Sequence, residues 1–251
     1  MAKQSGIIPI KGTIGNLTFY KGKEGYLVRE KGGVTGERIA NDPAFQRTRE
    51  NGQEFGRAGK AGKLLRTSVR ALTQNASDPK MVSRLTKEFM RVIKADATND
   101  RGLRNVIDGE AELLEGFEFN LDGKLGTTLY APYTATIDRV TGVLQVVIDA
   151  FVPTNMINAG GGSTHFKINS AGAAVDFEGN VYTVEVNSSA VLPWNNVATA
   201  TLTLTNTVPA NSTQPLFLLL GIEFYQEVNG TMYPLKNGAF NPLAIVKVSG
   251  V

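Results

Sequence analysis

The chain has 251 residues, of which 42% are hydrophobic and 20% charged, a composition that excludes a disordered or collagen-like polypeptide and suffices for one or two cores. It contains no cysteine and a single histidine, His165. Disulfides, iron–sulfur clusters, thiolate zinc sites and multi-histidine metal centres are therefore excluded, and the expectation is a protein that is not an enzyme and carries no cofactor.

The formal net charge of +3 conceals a division. Residues 1–107 hold 21 Lys/Arg against 10 Asp/Glu, whereas residues 108–251 hold 5 against 13. Composition shifts in the same place toward Thr, Val, Asn and Tyr, the residue types of strands and turns. A domain boundary is expected between Asp108 and Phe117, giving a basic hairpin-plus-helices region at 1–112 and an acidic β domain at 113–251.

At the start of the chain, Gly6-Ile7-Ile8-Pro9-Ile10 lacks the unbroken apolar run of a signal peptide. The mature chain is expected to begin at Met1, both ends to pack against the body, and the protein to reside in the cytoplasm or in a virion-like or exported assembly. Alternation over Gly12–Tyr20 and Tyr26–Glu30, separated by Lys21–Gly25, predicts a β-hairpin. A loop at Gly32, Gly33 and Gly36 follows, and Asn41-Asp42-Pro43 supplies a capping acid with proline at the first helical position, so a helix is expected from Pro43.

Within that helix Phe45, Gly52, Phe55, Gly59, Gly62, Leu65, Val69 and Leu72 follow a near-3.5-residue period. Each glycine costs about 1 kcal/mol relative to alanine inside a helix. Either Gly52, Gly59 and Gly62 admit another backbone at a packed seam with Phe45 and Phe55, or the helix breaks there. Asp78-Pro79 repeats the cap, and Val82, Leu85, Phe89 and Val92 form the apolar stripe of a further helix. Beside that stripe Lys80, Arg84, Lys87, Arg91 and Lys94 align five cations on one face, a row of single sign relieved only by Glu88.

From Phe117 onward the pattern is that of strands, expected at 117–121, 125–130, 134–137, 143–151, 164–168, 181–186, 198–204, 215–225, 232–235 and 243–248, with turns at Asp122-Gly123, Thr141-Gly142 and Asn229-Gly230. The longest apolar run, Pro215–Ile222, is far shorter than the roughly 20 residues of a membrane-spanning helix and reads as a buried strand. The expected fold class is α+β: an N-terminal β-hairpin and two or three helices, then an antiparallel β-sandwich of jelly-roll or immunoglobulin-like type.

Candidate chemistry is sparse. Gly56-Arg57-Ala58-Gly59-Lys60-Ala61-Gly62-Lys63-Leu64 approaches a phosphate-binding loop but has the wrong spacing and no hydroxyl for magnesium. Gly160-Gly161-Gly162-Ser163-Thr164-His165 sets the lone imidazole beside a turn without an orienting acid nearby in sequence. Asp108, Glu110, Glu112, Glu115 and Glu118 form an acidic patch lacking the pattern of a calcium loop, so no metal is expected. Trp194 with Tyr130, Tyr133, Tyr182, Tyr225 and Tyr233 offers a carbohydrate-stacking alternative, while Arg47, Arg49, Arg57, Lys60, Lys63, Arg66 and Arg70 with the second row offer non-specific nucleic-acid binding.

The run Gly12-Thr13-Ile14-Gly15-Asn16-Leu17-Thr18-Phe19-Tyr20, followed by Asn41-Asp42-Pro43-Ala44-Phe45-Gln46-Arg47-Thr48-Arg49, resembles an uncharacterised bacterial family over about the first third of the chain. That resemblance implies a glycine-rich hairpin, an Arg-containing helix and a β-rich remainder, with a phage-like or surface structural flavour and no catalytic residues. The expectation from all of this is a non-enzymatic structural protein that forms rings or filaments with copies of itself, the cationic face of one subunit meeting the anionic patch of the next. Nucleic acid is the further partner considered, and no membrane span is expected.

Overall fold

The computed structural model describes residues 2–4, 8–30, 32–235 and 240–251. The expectations that touch Met1 and Gly6-Ile7 lie outside them. The fold is α+β, built from antiparallel sheets, one of them curled into a half-barrel. The chain divides into two compact units, Met1–Arg49 and Glu50–Val251.

The first unit is a four-stranded sheet of β1 (Ala2–Lys3), β2 (Gly12–Ile14), β3 (Leu17–Gly22) and β4 (Gly25–Glu30), in the order β1-β4-β3-β2. The single strand expected over Gly12–Tyr20 is two strands. Gly15 has a φ of 57°, and Gly15-Asn16 turns the chain so that Ile14 pairs with Leu17. The expected loop around Gly36 is a short helix, α1 (Gly36–Asn41), capped by Thr35, whose hydroxyl accepts from the Arg38 N–H. The Asp42 carboxylate then accepts from the Ala44 N–H at 2.9 Å and opens a 3-10 turn at Pro43–Phe45. Among the described residues of this unit, none is buried.

The second unit has two cores on either side of one sheet. Its helices are α2 (Gln46–Ser68, whose first residues belong to the N-terminal unit), α3 (Arg70–Thr73), α4 (Met81–Ala95), α5 (Leu125–Thr128) and α6 (Pro153–Met156). A three-stranded sheet orders β10 (Leu202–Thr207), β6 (Val143–Ile148) and β5 (Tyr133–Asp138). A six-stranded sheet is centred on β7 (His165–Asp176) and β11 (Leu216–Val228), flanked by β8 (Val181–Ser188), β9 (Leu192–Pro193), β12 (Thr231–Pro234) and β13 (Leu243–Ser249).

Side-chain alternation along β7 and β11 decides the layering. Ala171, Ala173, Val175, Phe217 and Leu219 join Leu65, Leu85, Phe89 and Ile93 of the helices in one core. Ile168, Ala174, Leu216, Leu218 and Leu220 face the other way and join Leu144, Val146, Ile148 and Leu204 of the smaller sheet in a second. A strand covered on both faces has no polar side, which is why Leu216–Ile222 is an unbroken apolar run. The two sheets pack tightly at Gly172, where a Cβ would lie 2.7 Å from the Asn206 Cβ.

The rims are closed by side chains reaching backbone. Asn187 donates to the Thr205 carbonyl, and Glu185 accepts from the Thr207 N–H, tying β8 to β10. Arg139 donates to the carbonyls of Gln214 and Ser249, both at 2.9 Å, and to that of Gly250, tying the end of β5 to the last strand.

Several expectations are corrected. Residues 117–121 form only an isolated bridge, Glu118 with Ala244, and the strand expected at 125–130 is α5 with a single bridge at Leu129. The boundary expected at 112 falls inside the second unit, because composition changes where the helices end while the helical core continues into Ala111, Leu114, Phe117 and β13. Helix α2 is continuous through its glycines, and of the expected seam only its C-terminal half is packed. Gly62 has Phe89 and Leu85 within 4 Å, whereas Gly52 and Gly59 meet nothing and Phe55 is 61% exposed. The buried face carries instead Glu54, Ala58, Ala61, Leu64, Leu65 and Ser68. On α4 the buried first residue is Met81, with Val82 exposed. Of the ends expected to pack, β1 pairs with β4 while Val251 is exposed. Among the described residues no helix is long and apolar enough to cross a membrane.

Candidate functional site

The cationic row on α4 and the acidic patch lie side by side in the second unit, because the 3-10 turn at Ala111–Leu114 brings residues 108–118 back over that helix. Arg84 donates to the carbonyl of Glu118 at 2.7 Å, pairs with Asp78 and stacks over the Phe117 ring at 5.1 Å. Arg91 pairs with Glu88 at 2.6 Å. Arg84, Lys87 and Arg91 share a shallow groove with Glu115 and Glu118. Lys80, Lys87 and Lys94 are exposed.

The acids are individually engaged. Asp108 accepts from the Asn99 and Asn105 amides at 2.7 Å, Glu112 from the Gly250 N–H at 2.6 Å, and Glu115 lies 3.6 Å from the Lys247 ammonium. Glu118 accepts from the Leu125 N–H at 3.0 Å. Burial nevertheless pushes the Glu118 carboxyl above its ordinary range, and it in turn helps burial raise the Tyr133 phenol. Glu110 is exposed. The two poles expected to meet between subunits are thus neighbours within one unit, although the ion pairs of the cationic row go to Asp78 and Glu88 rather than to the acidic patch.

A different surface stands uncovered on the N-terminal sheet. Residues paired directly across strands share a face. Ile14 opposes Leu17, and Phe19 opposes both Gly12 and Val28, so Ile14, Leu17, Phe19 and Val28 gather on one side. Ile14 is 63% and Leu17 45% exposed. The opposite face carries Thr13, Thr18, Arg29, Tyr20 and Lys3. Lys21 lies over Tyr26 at 5.7 Å and Arg29 over Tyr20 at 5.4 Å. Residues 1–49 hold nine Lys/Arg against four Asp/Glu. Sequence reading quoted these residues but placed Ile14 and Leu17 in one strand, where they have opposite parity; the Gly-Asn pair at 15–16 was the available signal.

The other candidates resolve as structure. Gly56–Leu64 lies within α2, where backbone N–H groups bond along the helix and cannot cradle phosphate. His165 Nδ1 lies 2.9 Å from the Thr164 hydroxyl and Nε2 3.8 Å from the Glu227 carboxylate. The second distance exceeds a hydrogen bond, and Thr164 Oγ1 accepts from the Glu227 N–H at 2.7 Å, so the hydroxyl ties the start of β7 to β11. Trp194 packs against the second core and donates its indole N–H to the Ile157 carbonyl at 3.1 Å, which removes it from any exposed stacking platform. Tyr130, Tyr133, Tyr182 and Tyr233 are exposed, whereas Tyr225 donates to Glu223 at 2.9 Å.

Set against known proteins, the chain matches no family model, no curated protein and no solved structure.

Proposed function

We propose that the chain is a non-enzymatic structural protein that associates with copies of itself, the cationic N-terminal sheet of one copy docking on the acidic β-rich body of the next. The carrying observation is the apolar side formed by Ile14, Leu17, Phe19 and Val28, with Ile14 and Leu17 exposed, in a unit that has no buried side chain among its described residues. A small sheet depends on its hydrophobic face for stability, and burying that face against another surface adds to it. Charge favours a second copy as the cover, since residues 1–49 carry a formal excess of five positive charges, while the body from residue 50 onward is nearly balanced and concentrates its acids in the β-rich stretch 108–251, with 5 Lys/Arg against 13 Asp/Glu. In this scheme the two packed sheets of the body, a variant of the β-sandwich, are the scaffold, and the N-terminal sheet is the connector. Because donor and acceptor surfaces differ, the contact is heterologous and yields a ring or a filament according to its rotation.

Sedimentation velocity at ~50 mM and ~500 mM salt tests this. The expected result is an assembly at low salt that shrinks as salt rises, and a monomer for the Ile14→Glu/Leu17→Glu variant with the body's thermal unfolding unchanged. A wild-type monomer under every condition would refute the proposal. Nucleic acid that co-purifies and is released by salt would instead favour the polyanion-binding alternative.

A further inference from the structure

Away from these surfaces, the second unit contains a cavity of about 770 Å³. One wall is α2, where Arg57, Lys60 and Lys63 recur at steps of three and so share a side of the helix. The facing wall is the β7–β8 hairpin, which contributes Phe177, Glu178 and Tyr182, and Val106 and Ile107 complete the lining.

Neither Lys60 nor Lys63 has a carboxylate partner among the described residues, and Arg57 is bonded to the carbonyls of Gly102 and Arg104, which leaves its charge uncompensated. Three cations thus face one acid, Glu178. Thr67, Asn105 and Asn180 add neutral polar groups, and the apolar part of the lining is Leu64 and Val106, which are buried, Phe177 and Ile107, which are half-buried, and the exposed ring of Tyr182 on an edge strand. A concave apolar site with a few convergent charges of one sign is built for a small molecule that is oily at one end and anionic at the other. Inorganic phosphate would leave the apolar part of the lining unused.

We propose that this cavity binds a small organic anion, a flat apolar body bearing a phosphate or carboxylate, with the anionic end at Lys60 and Lys63 and the body against Phe177 and Tyr182. The site is independent of self-association.

The test is a titration of the full chain, followed through backbone amide NMR shifts, with 1-naphthyl phosphate and 1-naphthoate as probes and 1-naphthol and inorganic phosphate as controls. At least one naphthyl anion is expected to shift amides in 57–67, 105–107 and 177–182 together, and to bind at least ~10-fold more tightly than either control; the two anions distinguish phosphate from carboxylate. The Lys60→Glu/Lys63→Glu variant, altered only at exposed positions, is expected to keep its thermal unfolding and lose at least ~10-fold in affinity, and Tyr182→Ala to weaken binding without touching the cations. Failure of both naphthyl anions to move those three segments, equal binding by the charge-reversed variant, or equally tight binding of inorganic phosphate would overturn the proposal.

Discussion

The N-terminal sheet and the central sheet of the body are both antiparallel and rich in β-branched and aromatic residues, yet they stand at opposite limits of burial. Strands β7 and β11 are covered on both faces, so each alternate residue belongs to one core or the other. Strands β2 to β4 gather Ile14, Leu17, Phe19 and Val28 on one face, but none of these side chains is buried, and Ile14 and Leu17 are exposed. The contrast teaches that the molecule's stability resides in the body, while the N-terminal sheet has unspent apolar surface available for association.

The largest effect expected from testing that contrast is Phe217→Ala. Phe217 is fully buried and meets Phe177 edge-on at 6.1 Å, so truncation should destabilise the body by about 3–5 kcal/mol in urea unfolding. Ile14→Glu in the N-terminal sheet should leave that transition unmoved and act on the sedimentation coefficient alone. If both variants lowered body stability equally, the two sheets would not be energetically distinct.

An intermediate effect is expected at Asp96, at the end of α4. Burial opposes its ionisation, but N–H groups of Asn99, Asn105 and Thr98 and the Asn99 side-chain amide all donate to it, and together they hold the carboxyl at about 2. A depressed folded value means the ionised form stabilises the fold. That contribution is complete above the unfolded value of 3.8 and is lost as pH falls through about 2. Asp96→Ala should therefore cost about 2 kcal/mol at neutral pH and flatten the acid side of the stability profile. Glu54 is buried and its side-chain oxygen accepts from the Gly102 N–H at 2.9 Å, so Glu54→Ala should lose about 1–2 kcal/mol in urea unfolding by leaving that donor unpaired.

Legibility in the sequence followed periodicity. The two long helices, the buried run at 215–222 and most strands from Thr134 onward are readable because each repeats its pattern over several residues. The strand expected at 164–168, however, continues to Asp176 as β7, the one expected at 198–204 is β10 at Leu202–Thr207, and β9 and α6 are too short to carry a pattern. The strand expected at 125–130 was misread because four residues of helix carry no period, and the hairpin turn at Gly15-Asn16 was hidden inside an otherwise alternating stretch. Glu54 and Asp96 were passed over because an isolated acid looks the same in sequence whether it is solvated or ringed by donors. The α2 seam was misplaced for a related reason: glycine spacing marks a face of the helix, but only contacts from α4 determine which stretch of that face is covered, and they reach Gly62 without reaching Gly52 or Gly59.

The smallest effect is expected where the sequence pattern looked sharpest. Reversing Lys80, Lys87 and Lys94 together changes three exposed side chains, of which Lys87 shares its groove with Glu115 and Glu118. Exposed charges of this kind contribute little, so the triple Glu variant should shift unfolding by no more than about 1 kcal/mol and leave the low-salt assembly intact. Arg84 is different, because its guanidinium is shared among Asp78, the Glu118 carbonyl and the Phe117 ring, and Arg84→Met should destabilise the body without altering association. Should the triple reversal dissolve the assembly while Ile14→Glu/Leu17→Glu preserves it, the connector is the α4 face after all, and the N-terminal sheet's apolar surface serves another partner.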